Sequence, residues 1–287
     1  MKPARQKDEV LLLDIADARA HGRARLWWLG QSGFLLHAAG KNILFDPYLS
    51  DSLTRKYAQT DKPHERLTEQ VVSPARLTGI DVITSSHNHT DHLDAETLLP
   101  LFAANPQAML VVSRANVSFV LERLGHVESR LVPIDAGETV RVAGVEFRGI
   151  PAAHNTVERD ERGGCRFLGY VAQLAGLKTY HSGDTILHDG LVPALHPLGV
   201  DLALVPINGN KPERRVAGNL NGIEAAKLAF DIGARLAIPH HFDMFAFNTA
   251  SPDDFVSECR RVGQAFHVLE NGEGLDLRSL IAQPTKL

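Results

Sequence analysis

His87-Asn88-His89-Thr90-Asp91-His92 follows shortly after the apolar run Asp81-Val82-Ile83-Thr84. In extended backbone, residues two apart face the same side, so His87 and His89 can offer imidazoles to one cation. Asp91 and His92 then turn toward a neighbouring position, and one short segment supplies ligands to two adjacent metals. Solvated loop histidines that cluster by accident are the bland alternative. At the chain's own His and Asp frequencies, the pattern arises by chance in roughly two of a thousand such sequences. Its companions therefore decide the case.

Three further candidates lie far away in sequence. His154 follows the run Val145–Ile150, Asp184 follows Lys178-Thr179-Tyr180-His181-Ser182-Gly183, and His240-His241 follow Arg235-Leu236-Ala237-Ile238-Pro239. Each stands just past the carboxyl end of an apolar strand candidate. Ligands so far apart converge only if their strands end along one rim, where α/β folds commonly place their sites. Either of His154 and Asp184 alone reads as a loop residue; with the first motif, metal ligation is the better reading.

The rest of the chain supplies the scaffold. Val10, Leu11, Leu13, Ile15 and Ala18 recur at near-helical spacing, which predicts an N-terminal helix over 7–20 that carries no chemistry. From Arg25, two apolar runs separated by Ala-Gly-Lys predict a β-hairpin. Further strands are expected at 80–84, 109–113, 145–150, 169–174, 178–181, 201–206 and 235–239. Helices are expected at 94–104, 116–124, 222–232 and 252–262, with Asp94 and Ser251 as N-caps. No linker or repeat interrupts the pattern, so a layered α/β body over 23–287 preceded by a helical extension over 1–22 is expected.

Composition bounds the partners. With 44% hydrophobic and 22% charged residues over 287 positions, the chain has the make-up of an ordinary globular protein. A formal charge of −4 gives no footprint for a polyanion, so nucleic acid is not an expected partner. No stretch approaches the ~20 apolar residues of a membrane span, and MKPARQKDEV runs into charge rather than into a signal-peptide core. A cytoplasmic location, a small-molecule substrate and a monomer or homo-oligomer are the expectations. The two cysteines, Cys165 and Cys259, are too few for a disulfide framework and read as reduced, structural residues.

The ligand series itself, HNHTDH, the AAH ending at His154, SGDT around Asp184 and PHHF around His241, resembles that of the metallo-β-lactamase superfamily. That resemblance implies an αββα sandwich, two mixed sheets flanked by helices, with metals at one edge. It also implies that His87, His89 and His154 hold one divalent ion and Asp91, His92 and His241 a second, with Asp184 between them. Trp28-Leu29-Gly30-Gln31-Ser32-Gly33-Phe34, Phe45–Asp51, Ile207-Asn208-Gly209 and His241–Phe245 are similar to the branch containing the bacterial L-ascorbate-6-phosphate lactonases. This narrower likeness runs from Trp27 to about Phe255. It places the metal ligand at His241 and leaves His240 as an outer or substrate-side histidine.

The implied chemistry is hydrolysis by water whose pKa a divalent cation lowers toward ~7. Zinc or manganese, with iron as an alternative, suits an all-His/Asp set. Asp91, Asp184 and His241 are the catalytic candidates. The substrate class the resemblance implies is a lactone or cyclic ester of a small anionic sugar derivative; a small phosphodiester is the second reading, and a non-catalytic metal-stabilised binding module the third. Asp46 either starts a turn or supports the ligands. His181 reads as a strand-end hydrogen-bond donor. The basic loop carrying Asn208, Lys211, Arg214 and Arg215 is either solvated or a clamp for a substrate anion, with His240 as a further candidate contact.

Overall fold

The computed structural model describes residues 1–281; residues 282–287, the expected end of the body, lie outside the described residues. In chain order the first half consists of α1 (Asp8–Ala20), β1 (Arg25–Gly30), β2 (Gly33–Ala38), β3 (Lys41–Phe45), α2 (Ser52–Tyr57), β4 (Val82–Ser85), α3 (Ala95–Ala104), β5 (Met109–Ser113), α4 (Val117–Leu124) and β6 (Leu131–Ile134). The second half adds β7 (Thr139–Val142), β8 (Val145–Pro151), β9 (Leu168–Leu174), β10 (Leu177–His181), α5 (Leu191–Leu195), β11 (Leu202–Pro206) and α6 (Gly222–Asp231). It closes with β12 (Leu236–His240), α7 (Asp253–Val262), β13 (Gly274–Asp276) and α8 (Arg278–Ile281).

The strands form two mixed sheets, ordered β13-β1-β2-β3-β4-β5-β6 and β12-β11-β10-β9-β8-β7. Alternation along β1 shows how the layers assemble. Leu26 and Trp28 face the second sheet and join Phe147, Tyr170 and Leu204 in the inter-sheet core. Trp27 and Leu29 face the other way, onto Leu11 and Ile15 of α1 and Leu98 and Leu101 of α3. Because both faces are covered, these strands are continuously apolar rather than alternating. The αββα sandwich expected from the resemblance is the fold observed. No helix among the described residues is long and apolar enough to cross a membrane.

Three hairpins share one device. Ala39-Gly40, Ala143-Gly144 and Ala175-Gly176 all have positive φ at both positions, the geometry of a two-residue turn whose twist matches the flanking strands. They join β2 to β3, β7 to β8 and β9 to β10 in register. The sequence reading found the first of these turns but took the whole run from Arg25 to the Ala39-Gly40-Lys41 turn as one strand. Gly30 and Gln31, at φ +94° and +49°, instead reverse the chain, and β1 pairs antiparallel with β2. That reversal brings Gln31 to the sheet rim.

Other expectations shift by a residue or two. Asp94 occupies the N-cap position of α3, but its carboxylate accepts from the Thr97 and Ser50 hydroxyls at 2.6 and 2.7 Å rather than from the helix backbone. Pro252, not Ser251, is the cap residue of α7. Strands β6, β7 and β13 were not anticipated: β6 contains Pro133, β7 is a half-exposed edge strand and β13 spans three residues. Cys165 and Cys259 are both free and buried.

The helix after β11 has the strongest local start signal. Asn221 Oδ1 accepts from the Glu224 N–H and Glu224 Oε2 accepts from the Asn221 N–H, both at 2.9 Å, a complete capping box. Replacing Asn221 by Ala should cost about 1 kcal/mol, seen as a thermal midpoint a few degrees lower in calorimetry. An unchanged midpoint would show that packing of α6 on α7 holds this helix without its cap.

Candidate metal centre

Strand polarity assembles the site. The carboxyl ends of β3 and β4 in one sheet and of β8, β10 and β12 in the other meet at one rim, and the residues just beyond them are Asp46, His87, His154, Asp184 and His241. The motif after β4 is not extended, contrary to the sequence reading. The N–H groups of His92 and Leu93 both return to the His89 carbonyl, at 3.1 and 2.9 Å, so the segment is a tight turn. The turn still divides its side chains in two. His87, His89, His154 and Asp184 offer donor atoms within 4.8 Å of one another, and Asp91, His92 and His241 form a second such group.

Asp184 stands between them. Its Oδ2 lies 4.0 Å from His87 Nε2, 3.6 Å from His154 Nε2 and 3.5 Å from His241 Nε2, and its Oδ1 lies 3.4 Å from His92 Nε2. Asp91 Oδ2 is 3.7 Å from His92 Nε2 and 3.5 Å from His241 Nε2. These separations exceed good hydrogen bonds. They match atoms that share a cation: two ligands each ~2.1 Å from a tetrahedral ion sit roughly 3.4 Å apart. His87 Nε2, His92 Nε2 and Asp184 Oδ1 are buried without a hydrogen-bond partner among the described residues. Buried polar atoms are rarely left so, and ions held by the two groups would satisfy all three. The His/Asp cluster is able to bind metal ions.

The outer contacts orient these donors. His92 Nδ1–H donates to Asp46 Oδ2 at 2.7 Å, which aims Nε2 into the cluster. Asp46, fully buried at φ +38°, is itself held by the Thr84 hydroxyl at 2.8 Å, by the Ser86 N–H at 3.1 Å and by the Ser86 hydroxyl. Of its two readings, support of the ligands is the one the structure shows. His154 Nδ1 is anchored on the Gly218 carbonyl at 2.8 Å. His181 Nε2–H donates to the Ser32 carbonyl at 2.8 Å, the hydrogen-bonding role expected for it.

Electrostatics reflects the crowding. Burial disfavours the charged form of Asp91 and Asp184, yet the facing His92 and His241 imidazoles hold both carboxyls well below the usual range. Burial likewise opposes protonation of His241, but Asp184 and Asp91 push it up to about 9. His87 goes the other way, held well below its ordinary value by burial and by its neighbours His92 and His89. Burial lowers His89 to about 4. Burial also opposes protonation of His92, but Asp184 and Asp91 raise it well above its ordinary value, so metal binding competes with protons at both rings, His92 and His241.

The donors floor a cavity of about 480 Å³, a size suited to a small molecule. Several expected substrate contacts are elsewhere. His240 is fully buried, stacked 5.1 Å from His181, and does not line this cavity, because as the last residue of β12 it faces the inter-sheet core. Arg214 is spent on the Asn208 carbonyl, Asn248 Oδ1 and the Thr249 carbonyl at 2.6, 2.9 and 2.7 Å. Arg215 pairs with Asp61, and Lys211 and Asn208 are also absent from the lining. Asn208 Nδ2 donates to Asn248 Oδ1 at 3.0 Å, and Asn248 does line the cavity.

Gln31 is the site residue that sequence reasoning missed. Its Nε2 donates to Asp91 Oδ2 at 2.9 Å, and its carbonyl accepts the His241 N–H at 3.0 Å. Its signals were a place in the Trp28–Phe34 stretch of the narrower likeness, where no role was assigned to it, and the Gly30-Gln31 break in the apolar run. Lys56, Tyr57, Lys62 and His64 also line the cavity, from a stretch that reads as an ordinary polar loop.

Comparison with known proteins agrees with this geometry. Residues 41–242 match the family model described as a β-lactamase superfamily domain. The chain belongs to that family. A UPF0173 metal-dependent hydrolase of Rubrobacter xylanophilus is 30% identical over 263 residues, covering 88% of this chain and 97% of the relative. One of Thermus thermophilus is 27% identical over 87% and 97%. The protein is thus a metal-dependent hydrolase by family. Among solved structures, a metallo hydrolase of Ignicoccus hospitalis superposes with a TM-score of 0.64 at 20% identity, covering 88% and 97% of the two chains. An isothiocyanate hydrolase from Delia radicum gut bacteria does so at 0.70 and 16% identity, over 88% and 98%; both likenesses concern the fold.

Two substitutions test the geometry. Asp46→Ala should weaken metal affinity about 10- to 100-fold in a chelator competition, because His92 loses the partner that fixes its ring. Gly183, at φ +59°, leaves no room for a side chain: a Cβ there would lie 2.5 Å from Ser86 Cβ and 2.9 Å from the Leu168 carbonyl. Gly183→Ala should therefore cost about 2–4 kcal/mol in denaturant unfolding. An Asp46→Ala protein with parental affinity, or a Gly183→Ala protein with parental stability, would contradict these roles.

Proposed function

We propose that the protein hydrolyses a lactone or cyclic ester of a small anionic substrate at a centre of two divalent ions. The observation that carries this reading is the pair of donor groups sharing Asp184 on the floor of an open cavity. His87, His89 and His154 would hold one ion, Asp91, His92 and His241 the other, with Asp184 reaching both. A donor set of imidazoles and carboxylates suits zinc or manganese, with iron as an alternative. The likeness to the ascorbate-6-phosphate lactonases supports the lactone. The protein is then a cytoplasmic enzyme, with or without self-association, whose partner is its substrate rather than nucleic acid or membrane.

Divalent cations bound here supply Lewis acidity, which lowers the pKa of water and offsets negative charge developing on the substrate oxygen. The chain's own groups set the geometry. Asp91 stays ionised and, fixed by Gln31, presents an acceptor toward the attacking water. His241, turned into the site by its φ of +62°, faces both Asp91 and Asp184. His154, fixed through Gly218, keeps Nε2 toward Asp184. Phe119 and Phe245 line the walls and limit access of bulk water. The side-by-side arrangement of the two groups also suits in-line displacement at phosphorus, which makes a small phosphodiester the second reading.

A screen of the zinc- or manganese-loaded protein against lactones, sugar-phosphate lactones and small phosphodiesters tests the proposal. Turnover of a lactone that chelation abolishes is expected; metal-independent turnover, or none with any ester, would overturn it. The adjacent histidines should separate by elemental analysis. His241→Ala is expected to lose about one ion per chain. His240→Ala keeps its metal but unfolds at lower temperature, since it empties part of the aromatic stack with Phe34 and His181. The reverse pattern of metal loss would reassign the ligand. Arg214→Ala should likewise act on stability rather than on metal content, costing about 1–2 kcal/mol as the Asn208 and Thr249 carbonyls lose their shared donor.

A further inference from the structure

Two cations in the cavity have no carboxylate to answer them. Among the described residues, Lys2, Lys7 and Lys41 pair with Asp243, Glu69 and Asp81, and Arg215 pairs with Asp61. Lys56 and Lys62 pair with none. Both line the cavity whose floor is the metal cluster. Lys56 Nζ lies 3.4 Å from the hydroxyl of Thr90, the residue between His89 and Asp91, and 5.2 Å from the centre of the Tyr57 ring. Lys62 Nζ donates to the Arg215 carbonyl at 2.6 Å, a neutral partner that leaves its charge uncompensated. The acidic lining residues are Asp91 and Asp184, both committed to the donor groups.

Beside these ammonium groups stands an aromatic wall. The His64 ring packs 4.6 Å from Tyr57, 5.2 Å from Phe245 and 5.3 Å from Phe247, measured between ring centres. His64 Nδ1–H donates to the Lys62 carbonyl at 2.9 Å, so one residue both fixes the wall and presents a cation next to it. Leu53 adds a further apolar contact. A ligand that uses both features carries a negative group at one end and a flat apolar body beside it. Its reacting bond is left over the metal donors.

We infer that Lys56 and Lys62 hold the anionic group of the substrate, a carboxylate or phosphate, while Tyr57, His64, Phe245 and Phe247 hold an apolar or aromatic body attached to it. This rests on the hydrolase reading only for which end of the ligand reacts. It places the anion clamp on the segment 56–64 rather than on the 211–215 loop, for which the sequence left a solvated loop and a clamp as alternatives. Charge-assisted contacts at the two lysines set affinity for the anion, and the wall sets preference for the body.

Calorimetric titration of the metal-loaded full chain with phenylphosphonate, whose carbon–phosphorus bond resists hydrolysis, tests the site. Lys56→Gln and Lys62→Gln should each weaken binding about ten-fold and the double variant more, with metal content and melting temperature unchanged. Methylphosphonate should bind the parent more weakly than phenylphosphonate, and Phe247→Ala should narrow that gap. Failure of the parent to bind phenylphosphonate overturns the inference, as does a double lysine variant that binds it like the parent, which would assign the anion to the metals alone. Lysine-dependent binding in a protein that hydrolyses no ester would sustain the anion site and refute the lactone. Lactone turnover with lysine-independent binding would do the opposite.

Discussion

A carboxylate sealed from water must be fully hydrogen-bonded, and Asp46 meets that demand with groups that then organise the site. Thr84 and Ser86 bind it from the end of β4, and His92 binds it from the motif turn. The aspartate at the end of one strand thereby fixes the next strand's exit and the ring that faces Asp91 and Asp184. Ser86 carries the constraint to the other sheet, because Gly183 packs against it so closely that no side chain fits. Asp184 is the next residue. The two sheets are thus registered through a few buried polar atoms at the rim, and the metal donors inherit their positions from that contact.

Much of this was legible in the chain because burial on both faces makes the strands uniformly apolar, so polar residues at their ends stand out. His87, His154, Asp184 and His241 were visible in that way. The mixed sandwich followed from the same ligand series rather than from the strand pattern. Adjacent His240 and His241 could not be separated by composition. The backbone separates them: His240 completes β12 and faces the core, whereas His241 leaves the strand at φ +62° and reaches the donors.

What the sequence concealed depends on contacts between distant loops. Gln31 sits in a reversal inside an apolar run, and only the pairing of β1 with β2 shows that the run is broken. Lys56, Lys62 and His64 occupy a polar stretch with no periodicity, and nothing local places it over the cavity. The concentration of cations around Arg214 and Arg215 left a solvated loop and an anion clamp as equal readings. The Arg214 guanidinium is bound by neighbouring carbonyls and Arg215 pairs with Asp61 at the surface, contacts that local charge density does not reveal.

Family membership fixes metal-dependent hydrolysis but not the bond cleaved, since one scaffold hosts many chemistries. The chemistry turns on whether two ions sit where the donors converge. An anomalous difference map at the metal edge, from crystals of the metal-loaded protein, reads this directly. Two peaks are expected, one ringed by His87, His89 and His154 and one by Asp91, His92 and His241, each about 2.0–2.2 Å from a carboxylate oxygen of Asp184. Loaded protein with no peak within reach of these seven residues, or with its metal bound elsewhere on the chain, would contradict the centre described.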